Sequence, residues 1–142
     1  MTSLQIVYDA FLAKMLEDEW ANWDMEEIEQ DWRAILDGAL PYFKFPRVSL
    51  DIQDDSFVDD LDNEEIQILA SYMKCEWLNR TILTWENVKP LYEERDFSQA
   101  NLLDKFQSLL EKEEKKAKQL EAIYYRSIKR KPFNYSKLAG DQ

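Results

Sequence analysis

The segment from Asp62 to Thr81 constrains the fold more than any other part of the chain. Asp62 precedes Glu65 by three positions. At that spacing an Asp accepts the free amides of a first helical turn while the Glu reaches back to the cap. Downstream, Ile66, Leu69, Ala70, Met73, Trp77, Leu78 and Thr81 recur at intervals that place them on one broad helical stripe. A stripe this wide has to be covered by other elements, so this helix is expected to form the centre of a core. It is expected to run to about Leu83, with Trp85, Val88, Leu91 and Tyr92 in a following turn or short helix interrupted near Pro90.

Other segments supply the cover. Ser3 can cap a helix over 3–19 that carries Ile6, Val7, Ala10, Phe11, Met15 and Leu16. Asp24, followed by Glu26 and Glu27, suits the start of a second helix with Ile28, Trp32, Ile35 and Leu36 on its apolar face and Gly38 at its end. Asp96 or Ser98 can cap a long last helix whose apolar positions run from Leu102 through Phe106 and Leu110 to Tyr124. Between Glu111 and Lys118 every residue but Ala117 is charged, so packing is expected to thin there and to be completed on assembly. The stretch from Pro41 to Asp60 lacks a helical period. Its two prolines, its aromatic cluster and the alternation Val48, Leu50, Ile52 read as an extended segment over 45–58. Such a strand needs an edge to pair with. Either a neighbouring subunit supplies it or the segment lies flat on the helices.

The expected fold is mainly α: a small bundle of about four helices, a β-like segment and a long C-terminal helix. Trp32, Ile66, Leu69, Met73, Trp77, Phe106 and Leu110 are the candidate core. At 142 residues one domain is expected, over 1–127, followed by a basic, aromatic-bearing tail over 128–142.

Composition removes much of conventional enzymology. With no histidine and a single cysteine, Cys75, the chain offers no His-based triad, no Cys/His zinc site and no internal disulfide. Its two glycines, Gly38 and Gly140, build no phosphate-cradling loop. Asp51, Asp54, Asp55, Asp59, Asp60 and Asp62 share some positions with a calcium loop. However, Ser56 stands where the turn glycine is required and Asp62 where the bidentate Glu is, so an exposed acidic loop is expected. Asp9 and Asp31 fall near apolar faces and are expected to pair or sit at a rim, and Cys75 to be a structural free thiol. No catalytic, cofactor or metal residues are assigned. The N-terminus does not read as a signal peptide, no run is apolar enough to cross a bilayer, and one unpaired cysteine suits a reducing, intracellular compartment.

Charge and aromatic content point to assembly. Residues 1–66 hold 18 acids and 4 bases, net −14, whereas 67–142 hold 11 acids and 14 bases, net +3. This polarity can orient a molecule between different neighbours, and it disfavours general nucleic-acid binding by the acidic half. Trp20, Trp23, Trp32, Trp77 and Trp85 exceed what one small core easily accommodates, and surplus Trp favours interfaces.

The runs Leu61–Ala70, Glu76–Leu78, Trp85–Lys89 and Asp96–Asn101, leading into the long helix, resemble the small helical head–tail connectors of tailed bacteriophages, also called adaptor or head-completion proteins. The resemblance covers about half the chain and lies in capped helices with Trp landmarks rather than in a catalytic signature. It implies a non-enzymatic virion protein of the neck, assembled in the host cytoplasm into a homo-oligomeric ring of about twelve copies. The portal protein and neighbouring neck or tail proteins would be its partners, with DNA passing through unread. On that footing Lys131, Phe133 and Tyr135 are candidate portal contacts. Phe43, Phe45, Val48, Leu50 and Ile52 are candidate contacts between subunits. A tail-assembly chaperone, another neck protein such as a terminator, or an acidic regulator that binds a host protein are the alternatives.

Overall fold

The computed structural model describes residues 1–15, 20–88 and 97–130, with side chains at 87–88, 97–101 and 128–130 left aside. The chain runs β1 (Thr2–Ser3), α1 (Leu4–Ala13), α2 (Met25–Ala39), a 3-10 turn (Leu40–Tyr42), β2 (Ile52–Gln53), β3 (Ser56–Phe57), α3 (Asn63–Val88) and α4 (Phe97–Arg130). It is a helical bundle with a small sheet and a long C-terminal helix.

The helix starts follow local chemistry. Ser3 accepts the Gln5 amide and Asp24 accepts the Glu27 amide. At α3 the capping box closes in both directions: Glu65 N donates to Asp62 Oδ1 at 2.9 Å and Asp62 N donates to Glu65 Oε1 at 2.8 Å. Helix α3 is the hub. Ile68, Leu69, Ala70, Met73, Trp77 and Leu78 are buried along it, with α1, α2 and α4 all packed against it. Pairings such as Glu65–Tyr124, Lys74–Glu113 and Trp77–Phe106 show that α4 runs antiparallel to α3. Trp32, Leu69, Met73 and Trp77 are buried, and Ile66, Phe106 and Leu110 are partly buried against the core.

Several expectations are corrected. Helix α3 continues past Leu83 to Val88 and takes in Trp85. Gly38 lies inside α2 rather than ending it, for a steric reason: a Cβ there would stand 2.6 Å from Glu76 Oε2. The charged stretch of α4 does not lift away, because Ala117 is fully buried and Glu113 turns inward to Lys74 Nζ at 3.8 Å. The 45–58 segment finds its pairing partners in its own chain. Strands β2 and β3 form a hairpin across Asp54–Asp55, and β3 pairs on its other edge with β1, giving the antiparallel order β1-β3-β2. Asp54 takes the left-handed conformation (φ 57°) that Asp tolerates in such a tight turn.

Sheet and helices are tied by polar contacts at both ends. Leu4 N donates to Asp55 O at 2.9 Å, and Leu61 N donates to the buried Thr2 Oγ1 at 2.8 Å. The N-terminal ammonium pairs with Asp60. The first residues of the chain therefore complete the sheet that leads into α3.

Candidate interaction groove

A buried polar clasp fixes one end of the α3–α4 pair. Tyr124 is fully buried, and its hydroxyl donates to Glu65 Oε2 at 2.7 Å while accepting Arg47 N at 2.7 Å. Glu65, only 2 % exposed, thereby serves the α3 cap with one oxygen and α4 with the other. The Arg47 guanidinium lies 4.2 Å from the Tyr124 ring centroid and reaches Asp62 at 3.6 Å. Phe43 closes edge-on against Tyr124 at 5.4 Å. Burial, then the Glu65 bond, holds the Tyr124 hydroxyl above its ordinary pKa. The consequence is geometric: the 43–47 loop is pinned to α4, which fixes Lys44 and Phe45 beside the helix pair.

An aromatic groove follows from that anchoring. Tyr42 stacks on Tyr72 at 5.6 Å and 19°, and Phe45 meets Tyr125 edge-on at 6.3 Å. The hydroxyls of Tyr72 and Tyr125 both donate to Glu121, which joins the two aromatic pairs into one surface along α4. Burial and Glu121 raise both phenols, Tyr125 to about 12. Tyr42 is raised chiefly by the charge of Glu76, the carboxylate that Gly38 makes room for. Between the walls lies a cavity of about 270 Å³ with Tyr72 and Cys75 among its lining, Tyr42 and Lys44 on one side, and Glu114 and Lys118 on α4. Tyr42 is 48 % and Phe45 71 % exposed, large apolar areas to leave in water. Flat aromatic walls with charges at the rim suit an extended peptide carrying ring and basic side chains.

The cavity holds no activated nucleophile at Cys75. That thiol is buried, and burial followed by the charges of Glu113, Glu114 and Glu76 pushes its pKa up to about 12. No family model matches the chain, and neither curated proteins nor solved structures match it. The site therefore rests on its geometry.

The residues singled out in the sequence are distributed unevenly. Phe45 forms a groove wall. Phe43 is 3 % exposed and belongs to the core of its own chain, which corrects its reading as a subunit contact: its ring fills the space beside Tyr124. Val48, Leu50 and Ile52 are half-buried and pack against the same core, because the hairpin folds back on the helices. Lys131, Phe133 and Tyr135 lie outside the described residues. Asp59 turns inward to accept the Ser49 amide at 2.7 Å, and among the described residues no three acidic or cysteine side chains gather as a metal site. Asp31 pairs with Arg80 at 2.5 and 3.1 Å and accepts Trp20 Nε1 at 2.7 Å. Burial acts to raise the Asp31 carboxyl, but the Arg80 and Trp20 bonds outweigh it and hold the pKa below the usual range. Trp20, Trp32 and Trp77 are buried, Trp85 is half-buried and Trp23 is partly exposed. Sequence reasoning placed Tyr42 in the aromatic cluster of the extended segment without giving it an interface role, and passed over Tyr72, Tyr125 and Glu121. The available signal was Glu121 four positions before Tyr125, a helical spacing at which the two side chains meet.

Proposed function

We propose that the chain is a non-enzymatic structural protein that works by binding other proteins, in the setting its sequence resembles: a ring of the tailed-phage neck between portal and tail. One observation carries the binding role. On a scaffold whose buried charges pair with one another, Tyr42 and Phe45 stay exposed beside a cavity and are held there by the Tyr124 clasp. Stacked rings fixed on a rigid element are the composition of an interface anchor. The residues that carry the connector resemblance fall largely in α3 and the start of α4, the frame that positions this groove. On this reading the aromatic face and the basic tail contact the portal and neighbouring copies, and the acidic N-terminal half suits a channel lining that repels phosphate and lets DNA slide past.

The test is affinity isolation of the tagged protein from its native setting, with mass measurement and negative-stain imaging of what accompanies it. A ring containing portal protein, or intact particles, is the expected result. A lone monomer, or a one-to-one complex with a soluble host protein, would overturn the neck reading in favour of a regulator. A complex found only before particles are complete would favour a chaperone.

A further inference from the structure

We infer that the polar cavity between the start of α1, the β2–β3 turn and α2 binds a primary ammonium group carried on a short methylene chain. The cavity shares no lining residue with the aromatic groove, so the inference goes beyond the assembly reading and its failure would leave that reading standing.

Three elements build the site. A cavity of about 260 Å³ is lined on α1 by Leu4 and Tyr8, on α2 by Glu29 and Arg33, and on the hairpin turn by Asp55. Leu4 and Tyr8 are four apart, as are Glu29 and Arg33, so each pair shares one helical face. The Leu4 amide donates to Asp55 O at 2.9 Å, and the Tyr8 ring meets Trp32 at 5.5 Å. These contacts hold the turn and α2 against α1. Tyr8 is the decisive residue. It is only 5 % exposed, yet its hydroxyl forms no hydrogen bond with any described residue. A phenol buried to this extent ordinarily finds a partner. The charges that bear on this hydroxyl are those of Arg33, Asp37, Asp55 and Glu29, the groups around the cavity, so its oxygen lies on the cavity side. The missing partner is therefore left to an occupant.

Charge selects that occupant. Arg33 is already committed, because its Nε donates to Asp37 Oδ1 at 3.0 Å. Glu29 and Asp55 have neither an ion pair nor a side-chain hydrogen bond with the described residues. Three carboxylates thus surround the Tyr8 hydroxyl against one guanidinium, an excess that repels phosphate and carboxylate ligands and attracts a cation. A metal ion is a poor match, since among the described residues no three acidic side chains gather to ligate one. An ammonium carries three N–H donors and no acceptor, one donor each for Tyr8 Oη, Glu29 and Asp55. Those acceptors stand on three separate elements, which suits diverging donors better than the planar fork of a guanidinium. The methylenes of the ligand would lie along Leu4 and the Tyr8 ring, as lysine stems do on apolar surface. A lysine side chain of a neighbouring protein and a free alkyl diamine both carry such a group, and the experiment separates them.

Amide spectra of the full-length, isotope-labelled chain are recorded at neutral pH and constant ionic strength while Nα-acetyl-lysine methylamide or, in a parallel series, diaminobutane is added. The expected result is saturable shifts concentrated at Leu4, Gln5, Glu29, Arg33 and Asp55, with little change at Tyr72, Cys75 and Lys118 in the aromatic groove. Acetylating Nε of the lysine probe should abolish the shifts. Glu29→Gln and Asp55→Asn, at exposed side chains that hold no ion pair, should each weaken binding several-fold, and so should Tyr8→Phe, which keeps the ring against Trp32. Tighter binding of the capped lysine would assign the site to a partner protein's side chain, and tighter binding of the diamine to a free polyamine. Absence of saturable shifts with both probes would overturn the proposal. So would shifts spread evenly over the acidic surface, equal shifts with the acetylated probe, or undiminished binding in both carboxylate variants.

Discussion

Tyr124 concentrates more of the fold in one hydroxyl than any other side chain described. It closes the second oxygen of a buried carboxylate and receives the backbone of a loop 77 residues away in sequence. Tyr124→Phe keeps the ring that Phe43 and Arg47 lie against, but it strands Glu65 Oε2 and Arg47 N. The expected loss is about 1–3 kcal/mol in chemical denaturation, with faster amide exchange at Arg47. An unchanged midpoint would mean that water replaces the hydroxyl. Gly38→Ala separates stability from function at the groove. Alanine favours a helix by up to about 1 kcal/mol over glycine, yet its Cβ would displace Glu76 and with it the support of Tyr42. Net stability should change little while the Tyr42 ring resonances shift. At this scale the sequence was half legible. The Asp62–Glu65 box could be read because both partners sit within one turn, whereas Tyr124 and Gly38 answer to residues that only the tertiary fold brings near.

Element boundaries were readable where a cap or an apolar period acts locally, and they failed where a distant neighbour decides. The starts of α1, α2 and α3 coincide with their Ser or Asp caps. The charged run 111–118 was misread because charge density says nothing about which single turn faces inward. Ala117 and Glu113, four apart, turn to α3 while the residues around them stay in water. The 45–58 segment is legible as extended, but that only Ile52–Gln53 and Ser56–Phe57 pair in it is not, nor is the pairing with β1, since two residues at the N-terminus carry too little pattern to announce a strand. That short strand invites a test. Thr2→Ala removes the acceptor of the buried Leu61 amide just ahead of the α3 cap. A loss of about 1–3 kcal/mol is expected, with raised amide exchange spreading through 52–61 but not through the α3 centre. Equal exchange in both regions would show that the sheet and the helix hub unfold together.

On the scale of the whole molecule, the burial of phenols and a thiol within an acidic protein gives stability a defined pH profile. Tyr8 is pushed up to about 12, chiefly by burial, Tyr125 to about 12 by burial and Glu121, and Cys75 to about 12 by burial and nearby carboxylates. In the unfolded chain these groups ionise near their ordinary values, about 8.5 for the thiol and 10 for the phenols. A folded pKa above the unfolded one makes stability complete below the unfolded value and lost as pH rises towards the folded value. Asp31 works at the other end. Its depressed folded pKa makes its contribution complete above about 4 and lost as pH falls through the folded value. Lys14 opposes the alkaline trend, since burial and Lys116 lower its pKa and the fold is relieved as it deprotonates. Tyr42, Tyr72 and Tyr124 are raised as well, so six raised groups against one lowered lysine leave alkaline loss as the net expectation. Denaturant midpoints should therefore form a plateau through neutral pH, decline from about pH 9 upwards, and decline again below about pH 4. Asp31→Asn identifies the acid limb, because its difference from the parent protein should shrink as pH falls. Tyr8→Phe identifies the alkaline limb by flattening the decline above pH 10, and parallel slopes for variant and parent would remove Tyr8 from the account.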